Sequence, residues 1–153
     1  MPGSPHREWG STLSTAAAIA VALTFCWLGM VLAISFLEAP LKFRAPGVTQ
    51  PIGLGIGRIV FRALNTIEAV FAAVIVVALA TDPPPPAASV ALGIAVVMLI
   101  AQLLAVRPRL TRRANAVLAG GNAPRSRVHY AYVALEAVKV VALLTGGILL
   151  LAA

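Results

Sequence analysis

Gly57–Ala80, GRIVFRALNTIEAVFAAVIVVALA, is the stretch whose reading decides the fold. It opens with Arg58 and Arg62, sets Asn65 and Glu68 one helical turn apart in an apolar run, and closes with about a dozen residues lacking any polar side chain. Such a segment is unstable alone in water, and roughly 20 residues of helix cross the hydrocarbon of a bilayer. A carboxylate inside it costs several kcal/mol unless it is paired, protonated or turned to a wet interior. Glu68 and its surroundings therefore organise the reading of the whole chain.

Working outward, three more apolar runs flank this one, giving spans at about 12–37, 59–80, 87–106 and 130–152. The 153 residues are 60% hydrophobic and only 11% charged, against about 25% charged in soluble domains. The expected fold is an all-α integral membrane protein, a four-transmembrane-helix bundle filling a single domain over residues 1–153. The first run is longer than a secretory h-region of about 7–15 residues, so it reads as an uncleaved first span. Cys26 stands alone and excludes an intramolecular disulfide.

The net charge of +7 resides in the connections. Lys42, Arg44, Arg58 and Arg62 flank the first, and Arg107, Arg109, Arg112, Arg113, Arg125 and Arg127 fill the third, whereas Thr81-Asp82-Pro83-Pro84-Pro85-Pro86 holds no Lys or Arg. The positive-inside rule places both basic connections in the cytoplasm and the proline turn and both termini outside, in a bacterial inner membrane. Charge distributed this way meets anionic headgroups rather than nucleic acid. The third connection either continues as an amphipathic helix to Gly120-Gly121, laying Leu110, Ala114, Val117 and Leu118 along the membrane surface, or is a solvated basic loop.

An internal repeat is visible at an offset of 68 residues. Met30 then meets Met98, Pro40 meets Pro108, Arg44 meets Arg112, Gly53 meets Gly121, and Glu68-Ala69-Val70 meets Glu136-Ala137-Val138. Two helices separate the copies, so the expected halves are parallel helical hairpins, and duplicated membrane folds often place a site where halves meet.

Residues three and four apart share a helix face. By that spacing each span directs polar groups inward: Thr24, Ser35 and Glu38 in the first, Asn65 and Glu68 in the second, Gln102 in the third, and His129, Tyr132, Glu136 and Lys139 in the fourth. The reading is a cytoplasm-facing polar pocket lined by Ser35, Glu38, Asn65, Glu68, Gln102, Tyr132, Glu136 and Lys139, closed outward by Ala, Val and Leu. Such a pocket would bind or transport a small solute or ion, through carboxylates that take up a proton or cation. The competing account is a scaffold subunit whose polar residues only fix packing: Glu136 and Lys139 neutralise one another, Glu38 reaches Lys42, and Asn65 and Gln102 supply interhelical hydrogen bonds worth about 0.6–2 kcal/mol. A homodimer or a larger complex fits either account.

No catalytic constellation or cofactor motif is evident. Gly53-Leu54-Gly55-Ile56-Gly57 has glycine spacing without a preceding strand, and reads as a flexible interfacial lead. His129, with Met30, Met98 and Cys26, supplies soft ligand types but no metal-binding spacing, so His129 is expected to be an interfacial histidine.

The segments Ser35-Phe36-Leu37-Glu38-Ala39-Pro40-Leu41-Lys42-Phe43-Arg44, Arg107-Pro108-Arg109-Leu110 and Arg127-Val128-His129-Tyr130, in that order, resemble bacterial four-helix membrane proteins related to transmembrane protein 205. The group is in turn similar to helices of CopD-type copper-resistance proteins. In its pattern Ala-Pro-x-x-Phe closes the first helix, Arg/Glu-Pro the third, and a His opens the fourth. Ala39-Pro40 with Phe43, Arg107-Pro108 and His129 occupy those places, while Glu136 and Lys139 stand where the group carries an Asn. The resemblance implies the four-helix fold, and its copper link would point first to His129.

Overall fold

The computed structural model describes residues 13–120 and 127–153, the last stretch without the side chains of 127–129. Its helices are α1 (Thr15–Arg44), α2 (Gln50–Thr81), α3 (Pro86–Leu118) and α4 (Arg127–Leu151). Each contains a segment long and apolar enough to cross a membrane. Among the described residues there is no strand.

Local chemistry sets the helix ends. The Ser14 hydroxyl caps α1 by accepting from the Ala17 amide at 3.1 Å, as an N-cap serine does. It also donates to the Asp82 carboxylate, tying the start of α1 to the proline turn. Asp82 leaves helical geometry at φ −138°, and Pro86 begins α3 at a position where no amide hydrogen is needed. At the opposite end Gly120 adopts φ +87° just beyond α3, a left-handed stop that glycine takes without strain.

Both α1 and α3 widen into π-helical turns, at Leu32–Glu38 and Gln102–Val106. In each, the residue before a proline donates five residues back: Ala39 to the Ile34 carbonyl ahead of Pro40, and Arg107 to the Gln102 carbonyl ahead of Pro108. A proline ring collides with the carbonyl four residues earlier in a regular α-helix and offers it no hydrogen. A wider turn relieves the crowding, and such turns are frequent at functional sites. The two donor–acceptor pairs stand 68 residues apart.

Around the bundle the order is α2, α1, α4, α3, with α1 against both α2 and α4 and α3 chiefly against α4. Small residues allow close approach. A Cβ on Gly146 would lie 2.8 Å from the Leu92 side chain of α3, and one on Gly147 2.8 Å from the Phe25 ring of α1. Toward the proline turn the core is dry, packed by Ala20, Ile75, Ala88, Leu92, Ala95 and Leu143. The outer faces carry large apolar side chains such as Ile59, Val90 and Leu104, which suits contact with lipid tails.

One expectation needs correction and one alternative is decided. The glycine-rich lead is not a flexible segment: α2 begins at Gln50 and runs through it. Gly53 and Gly57 lie one turn apart on the buried face. A Cβ at Gly53 would collide with the Phe43 ring, and one at Gly57 would sit 2.9 Å from Lys42 Nζ. These glycines seat the descending end of α1. Of the two accounts of the basic segment after the third span, helix or solvated loop, the helix holds, since Arg107–Leu118 is helical and continues α3. Its inward residue, Ala114, is buried, and the segment packs against α2, where Arg58 Nη1 donates to Asn115 Oδ1 at 2.8 Å. Leu118 alone of the four apolar residues assigned to the membrane surface is exposed there as a large hydrophobe.

Candidate functional site

Halfway along the bundle the polar residues of all four helices converge. Lys139 projects from α4 in a region where its side chain tilts back toward the helix start, as helical side chains do, so its ammonium falls level with residues nearer the arginine-bearing end. Lys139 Nζ donates to Glu68 Oε1 of α2 at 2.5 Å and to Gln102 Oε1 of α3 at 2.8 Å, and lies 3.1 Å from Glu136 Oε2 of its own helix. Trp27 Nε1 of α1 donates to the same Glu68 Oε1 at 2.8 Å. Relative exposure is 0% for Trp27, Glu68, Gln102 and Lys139, 1% for Glu136 and 2% for Asn65.

Two of these contacts are hydrogen bonds, and the third, to Glu136, is an ion pair that leaves the Glu136 oxygens without a donor. The contacts also join α2 and α4, which face one another across the bundle. Isolated charges would be expelled from such an interior, and paired ones persist only when geometry and further hydrogen bonds offset their lost hydration. Here the offset is partial. Glu68 Oε2, both Glu136 oxygens, Asn65 Oδ1, Gln102 Nε2, Tyr132 OH and Thr24 Oγ1 are buried without a hydrogen-bond partner. Native interiors rarely leave so many polar atoms unmatched in one place.

Of the eight residues assigned to a pocket, the structure gathers Asn65, Glu68, Gln102, Tyr132, Glu136 and Lys139 on inward faces. Ser35 is half-buried, its hydroxyl without a partner. Glu38 stays apart, paired one turn on with Lys42 at 3.3 Å near the interface. Lys42 in turn lies over the Phe61 ring, 5.3 Å from its centroid, a cation–π distance.

The pocket expected to open at the arginine-bearing end is instead a closed cluster. Phe61 meets Tyr132 edge-to-face with centroids 5.6 Å apart, and Leu64 and Val106 are buried on the same side. With Lys139 drawing three helices together, these side chains leave no open route to the carboxylates. A hollow of about 300 Å³ lies elsewhere, at the proline-turn end between Ser14, Asp82, Pro83, Pro84 and Leu150.

Sequence reasoning missed Trp27. It lies three residues after Thr24, on the face already assigned to that residue, and a buried indole N–H ordinarily needs an acceptor. Arg58 and Arg62, at the basic start of the second span, are exposed, and so is Arg109. Cys26 is exposed as well. Arg125 and the side chains of Arg127 and His129 lie outside the described residues. Among the described residues, no three His, Cys, Asp or Glu side chains group as metal ligands would.

No protein-family model, curated protein or solved structure matches the chain. The site must therefore be interpreted from its own geometry.

Proposed function

We propose that this protein is a non-enzymatic membrane protein that binds a small solute or ion at the Glu68–Lys139–Glu136 cluster and moves it across the bilayer, here in a closed conformation. One observation carries this reading: charged and polar side chains from all four helices meet at mid-bundle, and several of their donors and acceptors are unmatched. A network kept only for packing would match its groups, because each unmatched buried group costs about 1–3 kcal/mol.

In this reading the chain is a duplicated pair of parallel hairpins, supported by the 68-residue offset of Glu68 and Glu136 and of the two widened turns. It is a multi-pass protein of a bacterial inner membrane with the arginine-bearing end in the cytoplasm and both termini outside, following the charge distribution. Arg107, Arg109, Arg112 and Arg113, with Arg125 and Arg127 beyond them, meet anionic headgroups.

The test is proton flux in liposomes carrying the purified protein, driven by a potassium diffusion potential and followed with a trapped pH dye. Flux above that of empty liposomes is expected, with loss in both Glu68→Gln and Glu136→Gln while their detergent elution profiles stay unchanged. Equal flux in the wild type and both variants removes the mechanism.

A second reading, an assembly subunit, is favoured by the sealing of the cluster and by the three partners on Lys139. It predicts that the same substitutions change native-gel mobility or partner recovery and leave flux at the empty-liposome level throughout.

A further inference from the structure

The cluster contains two carboxyl groups, on Glu68 and Glu136, and one ammonium, on Lys139. The other side chains facing it are Trp27 from α1, Asn65 from α2, Gln102 from α3 and Tyr132 from α4. None of these four carries a positive charge, and Arg107, whose charge reaches Tyr132, stands at the bundle end. With both acids ionised, the cluster is one positive charge short of neutral in a medium that penalises net charge heavily.

The atoms without partners show where that charge would sit. Lys139 uses Glu68 Oε1 and Glu136 Oε2. Glu68 Oε2 and Glu136 Oε1 are left, together with the Asn65 Oδ1 oxygen one turn before Glu68, and all three are buried acceptors without a donor. Carboxylate and amide oxygens are the ligand types that hold a proton or a hard cation. An anion would find less, because the unmatched donors there are neutral, the Gln102 Nε2 amide and the hydroxyls of Tyr132 and Thr24.

Resting on the binding reading above, we propose that the cluster holds one exchangeable monovalent cation, a proton or an alkali-metal ion, on the carboxylate oxygens that Lys139 leaves free. Lys139 is the resident half of the charge balance, and the bound cation is the exchangeable half.

Charge arithmetic makes the proposal testable. Glu68→Gln and Glu136→Gln each leave one acid against one ammonium, so each removes the need for the cation. Glu136→Gln combined with Lys139→Gln leaves a lone acid and restores it. For the proton, infrared spectra of the protein in nanodiscs should show a buried protonated-carboxyl band in the wild type. That band should vanish in each single glutamine variant and return in the combined one. For the alkali-metal ion, equilibrium dialysis with radiolabelled sodium or rubidium should give one bound ion per chain, with the same loss and return.

A wild type with neither the band nor a bound ion overturns the proposal, as does a band or ion that persists in both single variants. The single variants are charge-balanced and should fold; if one does not, the other carries the comparison. Binding at equilibrium needs no transport. A bound cation without flux thus keeps this site and ends the transport reading, whereas flux without a bound cation ends this site alone.

Discussion

The indole of Trp27 links two properties of one residue, its bulk in the core and its single donor. Trp27→Phe keeps most of the packing and withdraws the hydrogen from Glu68 Oε1, leaving that oxygen to Lys139 alone. Hydrogen bonds to charged groups contribute about 1.5–3 kcal/mol. We expect a loss of roughly that size on denaturant titration in detergent micelles, and a change within a few tenths of a kcal/mol would show that Glu68 does not depend on this donor. At this scale the sequence was informative about which residues turn inward, because Asn65, Glu68, Tyr132, Glu136 and Lys139 obey the three-and-four spacing. It was silent about who bonds to whom. The partners of Lys139 come from α2, α3 and its own helix, and no spacing along one helix reports the rotation of its neighbours. Closure of the cluster was equally hidden, since it depends on the Phe61–Tyr132 contact between α2 and α4.

Between helices, glycine sets the distance. Gly146 faces Leu92 so closely that any added side chain must push α3 from α4, and this is the most extensive helix pair in the molecule. Gly146→Val is expected to lower the detergent melting temperature by several degrees, corresponding to about 1–3 kcal/mol of overpacking. The same change at Gly93, which faces open space, should cost nothing in packing and gain a few tenths of a kcal/mol, because valine is a better helix former than glycine. Equal losses at the two positions would contradict the packing. Helix existence was legible from hydropathy, while helix ends were not. The apolar runs stop where the hydrocarbon does, but α2 and α3 continue as amphipathic helix into the region of charge. The glycines at Gly53 and Gly57 read as breakers because nothing in the sequence shows Phe43 and Lys42 lying across them.

For the molecule as a whole, the basic residues of the described chain gather at one end, apart from Lys139 within the bundle. At 32 residues, α2 is about 48 Å long, roughly 18 Å more than the hydrocarbon it crosses. With the proposed orientation, trypsin added to inverted vesicles should cut between the helices, whereas in right-side-out vesicles it should leave those connections intact. Cleavage between the helices in right-side-out vesicles would reverse the assigned topology. The widened turns bear on motion as well as on the static fold. A helix with such a turn stores one residue more than its span requires, and residues follow one another at about 100° around the axis. Handing that spare residue along α3 would swivel Gln102 off the ammonium without withdrawing the helix from the bilayer. The bundle thus contains, in the backbone ahead of Pro108, the slack needed to loosen its own lock.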